Sequence, residues 1–296
     1  MVSVVILTKN EEQDLPACLS SLTWTNDVHV LDSGSTDDTI KIAREYGAEV
    51  SFNKFTSFGM QRNYALKKLD LKYEWILFLD ADEVATPQFE KALKKSITDA
   101  GEEIAGFYCC WKMMLEDRWL KHCDNFPKWQ FRVLKKGRAT FTDFGHGQKE
   151  GNISGKLDYI KEPYLHYSFS KGWTQWMDRH NKYSSLEARD RIEKKPPFKN
   201  IFSGNSSKRN PALKSRLSNI PGWPFLRFLQ AYIINGGFLE GTPGFIYCIN
   251  MAYYEFLIKI KMRELRIIRK RSVPTSIFPK KSKIDIVLLI ATIVQF

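Results

Sequence analysis

Two short apolar runs, Ser3-Val4-Val5-Ile6-Leu7 and Trp75-Ile76-Leu77-Phe78-Leu79, constrain the fold of this chain more than any other feature. Neither alternates polar with apolar residues, so each predicts a strand covered on both faces, as in a parallel sheet flanked by helices. Both stop at polar loops, Thr8-Lys9-Asn10-Glu11-Glu12 after the first and Asp80-Ala81-Asp82-Glu83 after the second. Between them, Val28 to Leu31 ends at Asp32-Ser33-Gly34-Ser35-Thr36-Asp37-Asp38, and Val50-Ser51-Phe52 reads as a further strand. Leu15, Leu19 and Leu22 recur at helical spacing, as do Ile40, Ala43 and Tyr46, with Ser35 or Thr36 placed to cap the second helix; residues 59–70 look helical too. Strand, polar loop and helix recur about every thirty residues, which predicts an α/β fold with a mainly parallel sheet and right-handed crossovers. Ligands of such sheets gather beyond the carboxyl ends of the strands, where all these polar loops fall.

The texture changes after Gly101. Gly106 to Trp111 and Gln130 to Leu134 are strand-like, and Lys135-Lys136-Gly137 reads as a turn, so a mixed sheet is expected here. Trp173 to Ile192 has helical periodicity with a polar surface, on which His180 is expected to be solvated. Lys195-Pro196-Pro197 interrupts regular structure, and Ser203 to Pro211 reads as an exposed loop. Two very apolar helices are then expected, around Phe225 to Ile234 and Phe245 to Ile258, separated by glycine-rich breaks.

The chain of 296 residues carries a net charge of +12, concentrated near its end: ten Lys or Arg lie between Glu255 and Lys283, against Glu255 and Glu264 alone. Such a field attracts lipid headgroups, nucleic acid or phosphorylated substrates. No nucleic-acid-binding motif accompanies it, so no nucleic-acid partner is expected. Paired apolar helices beside a basic segment instead suit a protein peripheral to the cytoplasmic face of a membrane. Ile284 to Phe296, at thirteen residues, is too short to span a bilayer. The five cysteines include no Cys-x-x-Cys pair, which argues against a disulfide scaffold or a thiolate zinc site, and the N-terminus lacks the pattern of a secretion signal.

Asp80 and Asp82, one residue apart at a strand end, can approach a single Mg²⁺ or Mn²⁺, directly or with one acting through water. Such an ion neutralises a departing nucleotide diphosphate. Glu83 is placed either to assist around the ion or to face solvent. No Gly-x-Gly-x-x-Gly turn or P-loop is present, which excludes ordinary dinucleotide and NTP sites.

The segments Ser3 to Glu12, Asp32 to Thr39, Gln61-Arg62-Asn63-Tyr64-Ala65 and Leu79 to Glu83, in this order, resemble the inverting GT-A glycosyltransferases of family 2, most strongly over the first hundred or so residues. The resemblance implies a GT-A-like catalytic domain, set here at 1–195; the texture beyond it reads as a linker over 196–224 and an apolar, basic helical extension over 225–296. The resemblance also implies a nucleotide-sugar donor, UDP-linked, lined by Thr8, Asn10 and Glu11, with Asp32 towards the base, Ser35 among the small residues shaping the pocket, and Arg62 and Asn63 facing the nucleotide near the metal. Arg62 either offers donors to phosphate or pairs with Asp80.

The acceptor is expected to be a glycan or glycolipid of the bacterial envelope, from a weaker likeness to lipopolysaccharide-core glucosyltransferases. Those relatives tend to place His-Glu where this chain has His146-Gly147, with Glu150 three residues on. Glu150 is the leading candidate for the base that deprotonates the acceptor, against a structural pairing with Lys149 or Arg132; His146 and Asp124 are the alternatives. His166 is placed to close onto the donor phosphates or the metal, or else to pack among aromatics. Trp111, Trp119 and Trp129 either stack on sugars or pack in loops. Competing functions are a polyprenyl-phosphate glycosyltransferase, a nucleotidyltransferase, which would release pyrophosphate, and a basic nucleic-acid-binding protein.

Overall fold

A computed structural model describes residues 1–144, 147–193, 196–204 and 206–272. The chain divides into two units, Met1–Met262 and Arg263–Phe296. In the second unit the described residues are helical.

The first half builds strand, helix and strand in turn: β1 (Val2–Thr8), α1 (Leu15–Ser20), β2 (Val28–Asp32), α2 (Thr39–Glu45), β3 (Glu49–Phe52), α3 (Phe58–Lys68) and β4 (Trp75–Asp80). Then come β5 (Glu83–Val84), α4 (Pro87–Thr98), β6 (Ile104–Leu115), β7 (Arg118–Trp119) and β8 (Trp129–Lys135). A ribbon of β9 (Ala139–Phe144) and β10 (Gly147–Ile153) precedes β11 (Lys156–His166). The helices α5 (Gly172–Glu193), α6 (Ser206–Leu217), α7 (Trp223–Leu229) and α8 (Gly241–Ser272) follow.

One sheet runs β3-β2-β1-β4-β8-β6-β11-β5. Its first four strands are parallel, as the continuous apolar runs require, and Val4, Val5, Ile6, Leu77, Phe78 and Leu79 are fully buried. β8 enters antiparallel between β4 and β6, whereas β6 and β11 pair in parallel, so the sheet is mixed. Cores lie on either face: Leu15, Leu19, Phe89 and Leu93 with one, Ala65, Phe131 and Phe141 with the other. At the α4 N-terminus Pro87 occupies the first turn and the Thr86 hydroxyl accepts from Phe89 N–H, both standard ways of starting a helix.

The stretch 196–224, expected to be a linker, instead contains a 3₁₀ turn at Phe198–Phe202 and α6. The apolar helices beyond it are not a separate extension through Met262. Ala231, Tyr247 and Cys248 pack with Met113, Leu115, Leu120 and Cys123, burying an apolar helix face that needs a partner. His180 is not solvated either: its ring stacks on Trp176 at 3.6 Å and its Nδ1 lies 2.8 Å from the Trp176 carbonyl. All five cysteines are free and buried. Among the described residues, no helix is long and apolar enough to cross a membrane.

Candidate active site

The loops after β1, β2 and β4 converge at one end of the sheet. Asp32 closes the first of them. Its Oδ2 accepts from Gly34 N–H (2.7 Å) and Ser35 N–H (2.8 Å), and its Oδ1 from the Thr8 hydroxyl (3.0 Å) and the Ser35 hydroxyl (2.5 Å). Gly34, at φ +96°, supplies the left-handed turn that brings both N–H groups round to one carboxylate. Asn10, itself at φ +57°, donates its N–H to the Ser35 hydroxyl and accepts from Thr36 N–H at 2.8 Å. Thr8, Asn10, Asp32 and Ser35 therefore form one hydrogen-bonded wall, and the Asp32 carboxylate is saturated from within the chain.

Asp80, the last residue of β4, sits between two arginines. Arg62 Nη2 from α3 donates to Oδ1 at 2.9 Å and Arg132 Nη2 from β8 to Oδ2 at 2.7 Å. Arg62 is fully buried, ringed by Phe58, Phe78 and Phe141 at 5.7–5.9 Å, so the Asp80 pairing weighed for it is the one found. Burial pulls its guanidinium down to about 10, against the pull of Asp80. Asn63 is spent on the backbone: it donates to the Phe141 carbonyl at 2.8 Å and accepts from Phe141 N–H at 2.9 Å.

Glu83 is buried, not solvent-facing. Its Oε2 accepts from Asp80 N–H at 2.9 Å and its Oε1 from Arg132 Nη2 at 2.5 Å. Burial raises Glu83 to about 7 even with Arg132 pulling the other way. Burial acts in the same direction on Asp80, yet its two arginines hold it well below the usual carboxylate range.

Asp82 is separate from that cluster and partly open, with His166 as its neighbour: Nε2 stands 3.4 Å from Oδ2. Strand pairing sets this contact, since β11 joins β5 with His166 opposite Glu83, and Tyr167 N–H donates to the Asp82 carbonyl at 2.8 Å. Burial alone would push Asp82 up and His166 down; each charge overcomes burial for the other, leaving Asp82 lowered and His166 raised. His166 Nδ1 is buried and has no partner.

Asp82 also lines a polar cleft with Glu11, Asp14, Lys171 and Arg179. Lys171 donates to Glu11 Oε2 at 2.5 Å and to the Asn10 carbonyl at 2.6 Å, and Arg179 donates to the Ser168 carbonyl at 2.7 Å. Burial raises Glu11 to about 7 despite Lys171.

Of the three residues weighed as base, Asp124 and Glu150 are described, and the contacts of each are made elsewhere than at Asp82. Asp124 is buried and its Oδ1 accepts from Tyr247 and Lys128. Glu150, half-buried on β10 opposite Phe141, is not the partner of Arg132; after burial, its charge is what raises the nearby Tyr108 phenol. His146 lies outside the described residues. Trp111 packs against Tyr164 and His166, Trp119 against Phe126, and Trp129 is exposed beside Tyr159.

Arg132, Lys171 and Arg179 escaped the sequence reading as site residues. Arg132 did leave a signal, being one charge inside Gln130-Phe131-Arg132-Val133-Leu134; a charge in a buried strand must have a partner. Lys171 and Arg179 left none, because one precedes and the other lies within a helix whose polar surface reads as solvated.

Metal binding can be tested against these side chains. Among the described residues, no group of three or more His, Cys, Asp or Glu is spaced to hold an ion. Asp82 Oδ2 and His166 Nε2 do suit a site of two protein ligands completed by phosphate oxygens, the habit of Mg²⁺ and Mn²⁺ at nucleotide sites.

The family model for glycosyl transferase family 2 matches residues 3–148. An uncharacterized glycosyltransferase of Rickettsia typhi is 27% identical over 275 residues, covering 89% of this chain and 87% of that protein. The lipopolysaccharide core biosynthesis glycosyltransferase LpsC of Rhizobium meliloti is 25% identical over 282 residues, covering 91% and 94%. Among solved structures, S. aureus TarS 1-349 in complex with UDP-GlcNAc aligns over 95% of each chain, at 15% identity and a TM-score of 0.48.

Proposed function

The chain belongs to glycosyltransferase family 2, and on that premise we propose that it transfers one sugar from a nucleotide-diphosphate sugar, UDP-linked, to a glycan or glycolipid of the bacterial envelope. The observation that carries the reading is the Asp82–His166 pair at the carboxyl end of the parallel strands, with Asp82 lining the cleft edged by Glu11 and Lys171. The likeness to a lipopolysaccharide-core enzyme over nearly the whole chain supports the envelope acceptor.

In this reading the wall of Thr8, Asn10, Asp32 and Ser35 receives the nucleoside, and Asp82 with His166 would hold Mg²⁺ or Mn²⁺, which supplies charge neutralisation to the departing diphosphate. Asp80, with both oxygens engaged by arginines, positions the Asp80-Ala81-Asp82 turn and would lend an ion its negative charge rather than a free oxygen. Lys171 and Arg179 add positive charge on the facing side of the cleft. Glu150 takes the acceptor hydroxyl proton in a single inverting displacement; Asp124, buried and already accepting two hydrogen bonds, is poorly placed to do so. Work at the cytoplasmic membrane face follows from the acceptor and the basic, apolar C-terminal part.

A purified-protein screen of UDP and GDP sugars with Mg²⁺ or Mn²⁺ and a panel of envelope acceptors tests this. Release of nucleotide diphosphate with a product of inverted anomeric configuration supports it. Release of pyrophosphate from a nucleoside triphosphate, or transfer to polyprenyl phosphate alone, contradicts the reaction or the acceptor respectively.

A further inference from the structure

The helix α8 has two apolar faces, and only one is covered. Tyr247, Cys248, Tyr254, Ile258 and Met262 are buried against the body of the protein. Phe245, Ile249, Tyr253, Phe256 and Ile260 recur at spacings of four, four, three and four and are each 41–48% exposed. At 100° per residue these five fall within an arc of about 80° on the side opposite the buried set. A helix on the surface of a water-soluble domain places polar residues there.

The uncovered face does not end with the helix. Phe245 meets Phe228 at 6.0 Å and Tyr232 at 5.6 Å, and Tyr232 meets Phe238, itself half exposed. Ile234, two residues beyond Tyr232, is 78% exposed. Contiguous apolar surface of this extent marks an interaction site.

Charge identifies the occupant. From Ser203 to Met262 the chain contains seven Lys or Arg and two acids, Glu240 and Glu255. Both acids are buried: Glu240 accepts from Cys123 N–H and Glu255 from Arg191 and the Trp223 indole. An apolar, aromatic-rich face in a segment whose only carboxylates are drawn inside is complementary to negatively charged headgroups over hydrocarbon.

We propose that the Phe245–Ile249–Tyr253–Phe256–Ile260 face of α8, with the aromatic cluster beside it, is a docking surface for an anionic lipid bilayer, into which α8 settles lengthwise without spanning it. This deepens the proposed function by locating the membrane contact, and it rests on that reading only for the placing of the acceptor.

The test is sedimentation of the full chain with vesicles of phosphatidylcholine alone and with about 30 mol% phosphatidylglycerol. Binding to the anionic vesicles, weakened by salt and lowered about tenfold or more in the Phe245→Ser/Phe256→Ser double variant, is expected. Both side chains are nearly half exposed, so an unchanged far-UV spectrum should accompany the loss. Protein that stays in the supernatant with anionic vesicles overturns the proposal. So does a double variant that binds as tightly as the parent, or one that merely converts a dimer to a monomer, the mark of a second copy on this face. Nucleotide release from the donor in the absence of vesicles reads the transfer chemistry separately, so that failure of docking and failure of the proposed reaction are distinguished.

Discussion

His166 Nε2 stands 3.4 Å from Asp82 Oδ2, although 84 residues separate them in the chain. A two-residue strand makes the contact: β5 follows Asp82 directly and pairs antiparallel with the end of β11, carrying the imidazole to the strand-end carboxylate. The pairing has consequences for stability that differ from those for metal binding.

With metal chelated, His166 is held above the ordinary imidazole value of about 6.5 by the Asp82 charge, against the effect of burial. A folded-state pKa raised over the unfolded one contributes stability that is fully present below about 6.5 and is lost as pH rises through the folded value. The Tm of the metal-free protein should therefore fall from pH 6 towards alkaline pH by more than that of His166→Gln. Parallel Tm–pH curves for the two proteins would remove the ion pair.

Arg132 is expected to be structural first. It is buried and bridges Asp80 and Glu83, so Arg132→Leu leaves Glu83 without its cation and should cost about 3–5 kcal/mol. Because burial favours the neutral form of Glu83, the deficit should shrink at mildly acidic pH, where that group protonates at little cost. Denaturant titration at two pH values checks both; a loss within about 0.5 kcal/mol at neutral pH contradicts the bridge.

Glu150→Gln changes charge with almost no change of shape. As the base it should lower turnover about 10²–10⁴-fold while leaving donor affinity nearly intact. Tyr108→Phe, which removes only the neighbouring phenol hydroxyl, should have a much smaller effect. Near-parental turnover in Glu150→Gln moves the base elsewhere.

The parallel half of the sheet was legible because burial on both faces writes itself into adjacent residues. Expected strands at 3–7, 28–31, 50–52 and 75–79 are found as Val2–Thr8, Val28–Asp32, Glu49–Phe52 and Trp75–Asp80. Helix α3 and the Gly137 turn were legible for similarly local reasons, glycine at φ +78° being suited to the turn. The Asp80/Asp82 turn stood out because acids directly after an apolar strand have few structural uses.

What decides the site is non-local. No periodicity near Arg132 reveals that its partners lie about fifty residues earlier, and nothing near Lys171 reveals that it reaches Glu11. Asn63 read as a nucleotide contact because its hydrogen bonds to the Phe141 backbone are invisible until β9 is placed. The 196–224 stretch read as a loop from its proline and serine content, whereas α6 starts at Ser206, with Pro211 within it. Helix α8 showed its apolar character plainly, but which face lay uncovered emerged only from packing.

The central claim is that Asp82, with His166, forms a metal-dependent donor site. Calorimetric titration of UDP into the protein with Mn²⁺, with chelator, and in Asp82→Asn with Mn²⁺ tests it directly. The expected result is Mn²⁺-dependent binding that falls at least about tenfold in the variant, with Tm held near the parental value. Binding of equal strength with Mn²⁺ and with chelator, or an Asp82→Asn protein that binds as the parent does, contradicts it.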